Sequence, residues 1–270
     1  WIKEVTAHEG AVSVSMQLTS AKAEAGQQIK ADSERVLKAL PFVTHVHGAM
    51  HVGDESDGYT EAWFLPDATD LPDELARHGR WYPFFADKSE RMHGTPWGPG
   101  YSVSHYPNHN RASTMWYHDH TLGMTRLNVY AGPAGFFLVR GGPDGDSAVL
   151  DSRTGAPAVL PGPAPRERDR RPKAYGEIPL AIQDRSFNAD GSLFYPDTRT
   201  FFDGFEGPFV PESGVAPVWN PEFFGNTLMV NGRVWPFHPV DQRRYRLRLL
   251  NGCNSRFLIL DFSSIPGVLV

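Results

Sequence analysis

The sequence is poor in the features that mark three large classes of protein. It has one cysteine in 270 residues, so it forms no internal disulfide and gives no sign of its redox compartment. No apolar run approaches the roughly 20 residues that a membrane-spanning helix needs. Acidic residues (31) outnumber lysine and arginine (26), and the net charge of -5 argues against nucleic acid as a partner. We therefore expect neither a nucleic-acid nor a membrane partner.

The ends of the chain define little. It begins at Trp1 rather than at methionine, so neither a natural N-terminus nor a targeting segment can be read, and the localisation stays open. The length is sufficient for two domains with real cores, and 40% hydrophobic residues are ordinary for a globular protein.

Long helical periodicity is also scarce. From residue 42 onward, short apolar stretches alternate with Gly, Pro, Asn and Asp, and only residues 71–78 favour a helical turn or two. Residues 21–40 fit either a helix or a loop. The predicted strands are 11–18, 135–140, 178–187, 193–195, 227–230, 233–235, 244–249, 257–262 and a last one starting at 267. The pattern is typical of an all-β protein built from Greek-key sandwiches.

Two local patterns are more specific. Asn231-Gly232 between two apolar stretches predicts a tight β-hairpin. Residues 244–249 alternate arginine with apolar residues, which predicts a half-buried strand with its arginines in water. Residues 141–174 are rich in Gly, Pro and Arg and are interpreted as a linker between a first domain (1–140) and a second (175–270).

Histidines occur in two pairs with His-X-His spacing. Successive side chains of an extended chain point to opposite faces, so both imidazoles of a pair point the same way. Random placement of 11 histidines gives roughly 0.4 such pairs, so the spacing alone leaves metal binding and chance both open. Four imidazoles without a nearby cysteine would make an all-nitrogen site, which copper or iron favours. The histidine quartet consists of His45, His47, His118 and His120.

The flanks of the histidine quartet resemble a known family. Thr-His-Val-His-Gly at 44–48, the segment at 54–64 and Trp-Tyr-His-Asp-His within 116–138 resemble the first two copper-binding motifs of the multicopper oxidases. The bacterial bilirubin-oxidase, spore-coat-laccase and phenoxazinone-synthase branch is the nearest in pattern. Framework segments at 178–187 and 226–236 extend the resemblance, whereas residues 1–40 match poorly.

This resemblance implies tandem cupredoxin-like sandwiches, the second of them incomplete in this chain. It implies that His45 ligates the type 2 copper of a trinuclear cluster, and that His47, His118 and His120 ligate the type 3 pair. The family's remaining cluster ligands and its type 1 copper lie in a third domain, whose motifs do not occur here. We therefore expect a missing C-terminal domain or a second chain to complete the copper sites.

Two further residues bear on the chemistry. Asp57 matches an acidic position that in this branch lies near the cluster and assists proton delivery, although Asp-Gly is also turn chemistry and the residues leave both interpretations open. Cys253 has no neighbouring histidine in sequence, so we interpret it as a small core or turn residue and not as a blue-copper ligand.

Two classes of function follow. The resemblance implies a laccase-like enzyme that takes single electrons from phenols, aminophenols, pigments or low-valent metal ions and passes them to dioxygen. The alternative is a non-catalytic copper-binding or scaffolding chain. A cupin-type oxygenase is weaker, because its motif places a glutamate soon after the second histidine, whereas the first acid after His47 is Asp54.

Overall fold

The computed structural model describes residues 2–8, 11–16, 41–66, 76–141, 146–165, 174–196, 200–204 and 222–263. The chain divides into two compact units, one of residues 1–179 with 242–248 and the other of residues 180–241 with 249–270. Among the described residues, no helix has the length and apolar character to cross a membrane. The predicted linker and domain limits stay predictions.

The described elements are mostly strands. The strands are β1 (Ile2–His8), β2 (Ala11–Met16), β3 (Thr44–His47), β4 (Ser113–Asp119), β5 (Ala134–Val139), β6 (Glu177–Phe187), β7 (Leu193–Phe194), β8 (Thr227–Val230), β9 (Arg233–Val234) and β10 (Arg246–Asn251). The helices are α1 (Tyr82–His93), α2 (Thr125–Ala131) and α3 (Thr200–Asp203), with a 3-10 turn at Asp146–Ala148.

The sheets confirm the all-β class. β1 and β2 form an antiparallel hairpin, and β3, β4 and β5 form an antiparallel sheet in that order. A five-stranded sheet has the order β10-β6-β8-β9, with β7 also pairing with β6. The predicted hairpin between β8 and β9 is present, and Asn231 and Gly232 have φ values of 49° and 75°, the left-handed backbone that a type I′ turn requires.

Helix α1 was not predicted from the sequence. Its buried residues, Tyr82, Phe85 and Ser89, follow helical spacing, but the serine interrupts the apolar stripe. Pro83 lies in the first turn, where a missing N–H costs nothing, and Gly94 ends the helix at φ 65°. The shorter helix α2 was also missed. Of the turn expected at 71–78, residues 71–75 lie outside the described part and 76–78 are not helical.

The predicted exposure of the arginines in β10 was wrong. Arg248 is only 6% exposed, whereas Leu247 and Leu249 are 40% and 43% exposed. Alternation gives the period of a strand but not its buried face. Arg248 is buried because its guanidinium pairs with the buried carboxylate of Glu177 at 3.0 Å and donates to Thr114 at 2.9 Å.

The strand predicted at 257–262 was also wrong. The described backbone there has no ladder partner, and Phe257 and Ile259 are more than nine-tenths exposed. An apolar run becomes a strand only when a neighbouring strand accepts its hydrogen bonds. The predictions for residues 17–40 and 267–270 lie outside the described residues.

Candidate metal centre

Strands β3 and β4 determine where the histidine quartet lies. In their antiparallel register His45 is directly opposite His118, and His47 is opposite Trp116. Directly opposed residues point to the same face of a sheet, so the His-X-His pairs on the two strands share one face. His120 follows the end of β4, where its backbone N–H donates to the carbonyl of Val43 at 2.9 Å.

The four imidazole rings lie side by side. The ring centroid of His45 is 4.8 Å from that of His120, 5.2 Å from that of His118 and 5.7 Å from that of His47. One ring nitrogen from each of His45, His47 and His118 lies within 4.8 Å of the other two. His118 is buried and His47 is exposed, so the group runs from the protein interior to its surface.

Backbone carbonyls fix two of the ring tautomers. Nδ1 of His45 lies 2.6 Å from the carbonyl of Asp57, and Nδ1 of His118 lies 2.7 Å from the carbonyl of Asp119. A carbonyl only accepts, so both Nδ1 atoms carry the proton and both Nε2 atoms keep a lone pair for a metal ion. Nδ1 of His120 is buried without a hydrogen-bond partner among the described residues. These nitrogen donors fit a copper ion.

The surroundings also favour the neutral form of two imidazoles, those of His118 and His120. Burial lowers the pKa of His118 below its usual 6.5, and the neighbouring histidines of the quartet lower it further, although its bond to the Asp119 carbonyl acts in the opposite direction. Burial and His45 likewise lower the pKa of His120. Since only a neutral imidazole can ligate, both rings are in the binding form at neutral pH.

Asp57 lies beside the quartet as well as in a turn. Its Oδ1 is 3.3 Å from Nδ1 of His45, and its side chain is half exposed. The following Gly58 has φ 78°, and a Cβ there would lie 2.4 Å from the carbonyl oxygen of Thr44. The turn therefore requires glycine and brings the carboxylate to the His45 ring, so the two interpretations of Asp57 are compatible.

Asp119, between two histidines of the quartet, is a structural carboxylate. It is fully buried, and its carboxylate accepts from the N–H of Val43 at 3.0 Å and from Nδ2 of Asn128 at 2.9 Å. It also accepts from Thr121, through the N–H at 3.1 Å and the hydroxyl at 2.7 Å. Asp119 thus joins the start of β3, the residues after β4 and helix α2, and so holds the quartet's two strands in register.

Sequence reasoning missed the part that Trp116 takes in this site. Its indole lies 4.3 Å from the ring centroid of His118 and 5.6 Å from that of His47, tilted by 34° and 31°. The available signal was its position two residues before His118, on the same face of β4.

Cys253 lies in the second unit, where its Sγ contacts the carbonyl of Ile182 at 3.8 Å. Burial, with a contribution from Asp184, raises its pKa to about 11, so it is a neutral thiol at physiological pH. A metal ligand must be a thiolate.

No protein-family model matches this chain. A laccase of Bacillus stratosphericus is 38% identical over 84% of this chain, and a laccase of Bacillus subtilis (strain 168) is 34% identical over 83%. A multicopper oxidase of Arabidopsis thaliana is 32% identical over 83%. The chain belongs to the multicopper oxidase family. Copper is therefore the cofactor with which the histidine quartet is compatible.

The chain matches only part of each multicopper oxidase. The chain spans about a third of the length of the curated relatives it matches: 34% of the Bacillus stratosphericus laccase, 33% of the Bacillus subtilis laccase and 29% of the Arabidopsis protein. The structure of the McoA multicopper oxidase from Aquifex aeolicus aligns with 80% of this chain and 32% of its own, at 23% identity and a TM-score of 0.44.

Proposed function

We propose that the histidine quartet binds copper and that the chain forms part of a copper-dependent oxidase. The single observation that carries this proposal is the approach of three ring nitrogens from two adjacent strands to within 4.8 Å, in a chain whose relatives are named laccase and multicopper oxidase. The reaction proposed is the one-electron oxidation of phenols, aminophenols, pigments or metal ions, coupled to four-electron reduction of dioxygen to water.

Within this proposal the quartet divides as the family resemblance implies. His45 binds the type 2 copper, and His47, His118 and His120 bind the type 3 pair. Bound copper supplies the one-electron redox chemistry that connects a reductant with dioxygen. The quartet is half of a trinuclear site, and the other half comes from a C-terminal domain outside this chain or from a second chain.

The chain's own residues orient the ligands and handle protons. The carbonyls of Asp57 and Asp119 fix the tautomers of His45 and His118 and leave Nε2 free in both. The Asp57 carboxylate is half exposed and 3.3 Å from Nδ1 of His45, a position from which it can exchange protons with water beside the site. Reduction of dioxygen to water consumes four protons, and a carboxylate beside the site can pass protons to it from water.

The alternative function is a copper-binding or scaffolding chain without catalysis. The observation that favours it is that Cys253, the sole cysteine of the chain, has no histidine beside it in sequence with which to form a type 1 copper site. Both functions include copper at the quartet, so copper binding tests the site and oxygen consumption tests the reaction.

Copper binding is tested on the whole chain by elemental analysis and electron paramagnetic resonance after gel filtration. We expect copper to be retained by the unsubstituted chain and by His238→Gln, an exposed histidine of the second unit. We expect His118→Gln with His120→Gln to lose the copper that the quartet holds and so to retain clearly less copper than the unsubstituted chain. Equal copper in this double variant and in the control would overturn the site.

Catalysis is tested by following oxygen consumption with a phenolic reductant. We expect the chain alone to be inactive and to become active when supplied with the segment that carries the remaining ligands. Copper retention without activity in that reconstituted protein would favour the scaffolding function.

A further inference from the structure

A second group of histidines lies outside the quartet, around an open pocket of about 670 Å³ in the first unit. Three segments meet there: the loop of residues 51–56, the C-terminal end of α1 and the loop of residues 94–107. The histidine and carboxylate side chains that line the pocket are His51, Glu55, His93 and His105. None of them belongs to the copper ligands that the family resemblance implies.

Glu55 is the unusual member of this group. Its carboxylate is 2% exposed, yet Oε2 accepts no hydrogen bond among the described residues. The cation beside Oε2 is the ammonium of Lys88 at 3.4 Å, which also pairs with the exposed Asp54. A buried carboxylate normally accepts several hydrogen bonds, because its desolvation is otherwise uncompensated. Glu55 therefore has unused capacity to bind a cation at the pocket wall.

Two imidazoles lie close to Glu55, and that of His93 contacts its carboxylate. Nε2 of His93 lies 3.1 Å from Oε1 of Glu55. The ring of His105 stacks on that of His93 with centroids 4.0 Å apart, and its Nε2 lies 3.2 Å from the hydroxyl of Thr95. Bonds of about 2.0–2.2 Å at a tetrahedral ion place two ligand atoms about 3.3 Å apart. The nitrogen of His93 and the oxygen of Glu55 already have this spacing.

The backbone holds these donors in place. The N–H of His105 donates to the Ser56 hydroxyl at 2.9 Å, which ties the second loop to the first. The carboxylate of Glu55 lies directly against Gly53, where a Cβ would displace it. His93 is the last residue of α1, where helix geometry fixes its direction.

We propose that Glu55, His93 and His105 form a binding site for a divalent first-row transition-metal ion such as Zn²⁺. Two imidazoles and a carboxylate are the donors that zinc, copper and iron share in proteins. On binding, the ion replaces the proton between His93 and Glu55, which is released to solvent, and His105 turns its ring from Thr95 toward the ion. The pocket leaves space for water as a further ligand.

The site is tested with Co²⁺ as a spectroscopic substitute for Zn²⁺. The whole chain carrying His118→Gln and His120→Gln is titrated, so that the quartet contributes little. We expect one equivalent of Co²⁺ with the visible absorption of a four- or five-coordinate ion. Because loss of an outer-shell partner already weakens metal binding 10–100-fold, adding Glu55→Gln or His93→Gln should weaken Co²⁺ binding by about 100-fold or more. His238→Gln is the control.

A second measurement uses the unsubstituted chain and does not depend on any variant folding. Zn²⁺ should slow the modification of His93 and His105 by diethyl pyrocarbonate, measured by peptide mass spectrometry, and leave His238 unaffected. Co²⁺ absorption that survives both Glu55→Gln and His93→Gln, or modification rates that Zn²⁺ does not change, would overturn the site. Neither measurement depends on copper at the quartet, so this site and the proposed function fail separately.

Discussion

Two buried carboxylates of the first unit, Asp119 and Glu55, have opposite surroundings. Asp119 is fully buried and accepts four hydrogen bonds from neutral donors, two from backbone N–H groups and two from side chains. Glu55 is 3% exposed, yet its Oε2 accepts no hydrogen bond among the described residues, and the group borders an open pocket. Equal burial therefore hides a difference in how well the charge is stabilised.

The difference separates a carboxylate that serves the fold from one that has capacity for a ligand. All four hydrogen bonds that Asp119 accepts come from groups that hold the fold together. One of them joins Asp119 to Val43, 76 positions away in sequence. Such a group positions the histidine quartet without binding anything itself. Glu55 accepts fewer hydrogen bonds from the chain, and it borders the pocket.

The largest effect should come from Asp119→Ala. It leaves the N–H groups of Val43 and Thr121 buried without an acceptor, whereas the Thr121 hydroxyl and the Asn128 amide keep the carbonyl of Pro41. Each uncompensated buried group costs about 1–3 kcal/mol, and partial relaxation should bring the total loss of unfolding free energy to about 4 kcal/mol. Urea denaturation followed by circular dichroism measures it.

The control for this variant is Asp87→Ala. Asp87 is an exposed carboxylate of α1 that pairs with Arg91 one turn later, so its removal should cost less than about 0.5 kcal/mol. A loss below 1 kcal/mol in Asp119→Ala would show that the hydrogen bonds around Asp119 do not hold the two strands together.

The next effect should come from Glu177, a buried carboxylate stabilised by cations instead of neutral donors. Glu177→Gln leaves the buried guanidinium of Arg248 with Asp146 at 3.8 Å as its remaining anionic partner, and Arg140 loses its pairing at 2.5 Å. We expect a loss of about 3 kcal/mol at pH 7, since breaking a buried pair from one side costs 3–5 kcal/mol. The measurement is again urea denaturation.

The same carboxylate should make the fold sensitive to acid. Burial alone would raise the pKa of Glu177, but hydrogen bonds and charge from Arg248 and Arg140 lower it below its ordinary 4.5. A group with a lowered folded-state pKa contributes its full stability above the unfolded-state pKa and loses it as pH falls through the folded-state pKa. Stability should therefore fall below about pH 4.5, and less steeply in Glu177→Gln. Parallel curves for the two proteins would contradict this.

The histidine quartet was the part of the molecule most accessible from sequence. Its geometry depends on the two-residue period of an extended strand, which the His-X-His spacing states directly. The second group was not accessible in the same way. Helix α1 and two loops bring together Glu55, His93 and His105, which are up to 50 positions apart in sequence. No repeating pattern in the sequence predicts that these residues meet.

The errors in the fold have the same origin. Alternation along β10 gave a strand, but the buried side depends on Glu177, which lies 71 residues before Arg248 and attracts its guanidinium inward. The apolar run at 257–262 has no partner strand among the described residues. The sequence of the run does not show whether a partner strand exists. Helix α1 was missed because Ser89 occupies the third position of its buried stripe.

The smallest effect, and the one that most sharpens the comparison with Asp119, should come from Glu55→Gln without added metal. A neutral amide has almost the same shape, can still accept from Nε2 of His93 and the Ser56 hydroxyl, and removes a charge that is poorly compensated at Oε2. Lys88 keeps Asp54 as a partner. The unfolding free energy should therefore change by less than about 1 kcal/mol, since Lys88 is partly exposed and pairs of exposed charges contribute about 0–1 kcal/mol.

Added Zn²⁺ should distinguish a metal-binding role of Glu55 from a structural one. A ligand that binds only the folded chain stabilises it by about 2.7 kcal/mol at 100 times its dissociation constant. Zn²⁺ should therefore raise the urea midpoint of the chain carrying His118→Gln and His120→Gln, and leave that of the same chain with Glu55→Gln added nearly unchanged. If Glu55→Gln instead costs as much as Asp119→Ala in the absence of metal, Glu55 is a structural carboxylate like Asp119, and the contrast between the two groups does not hold.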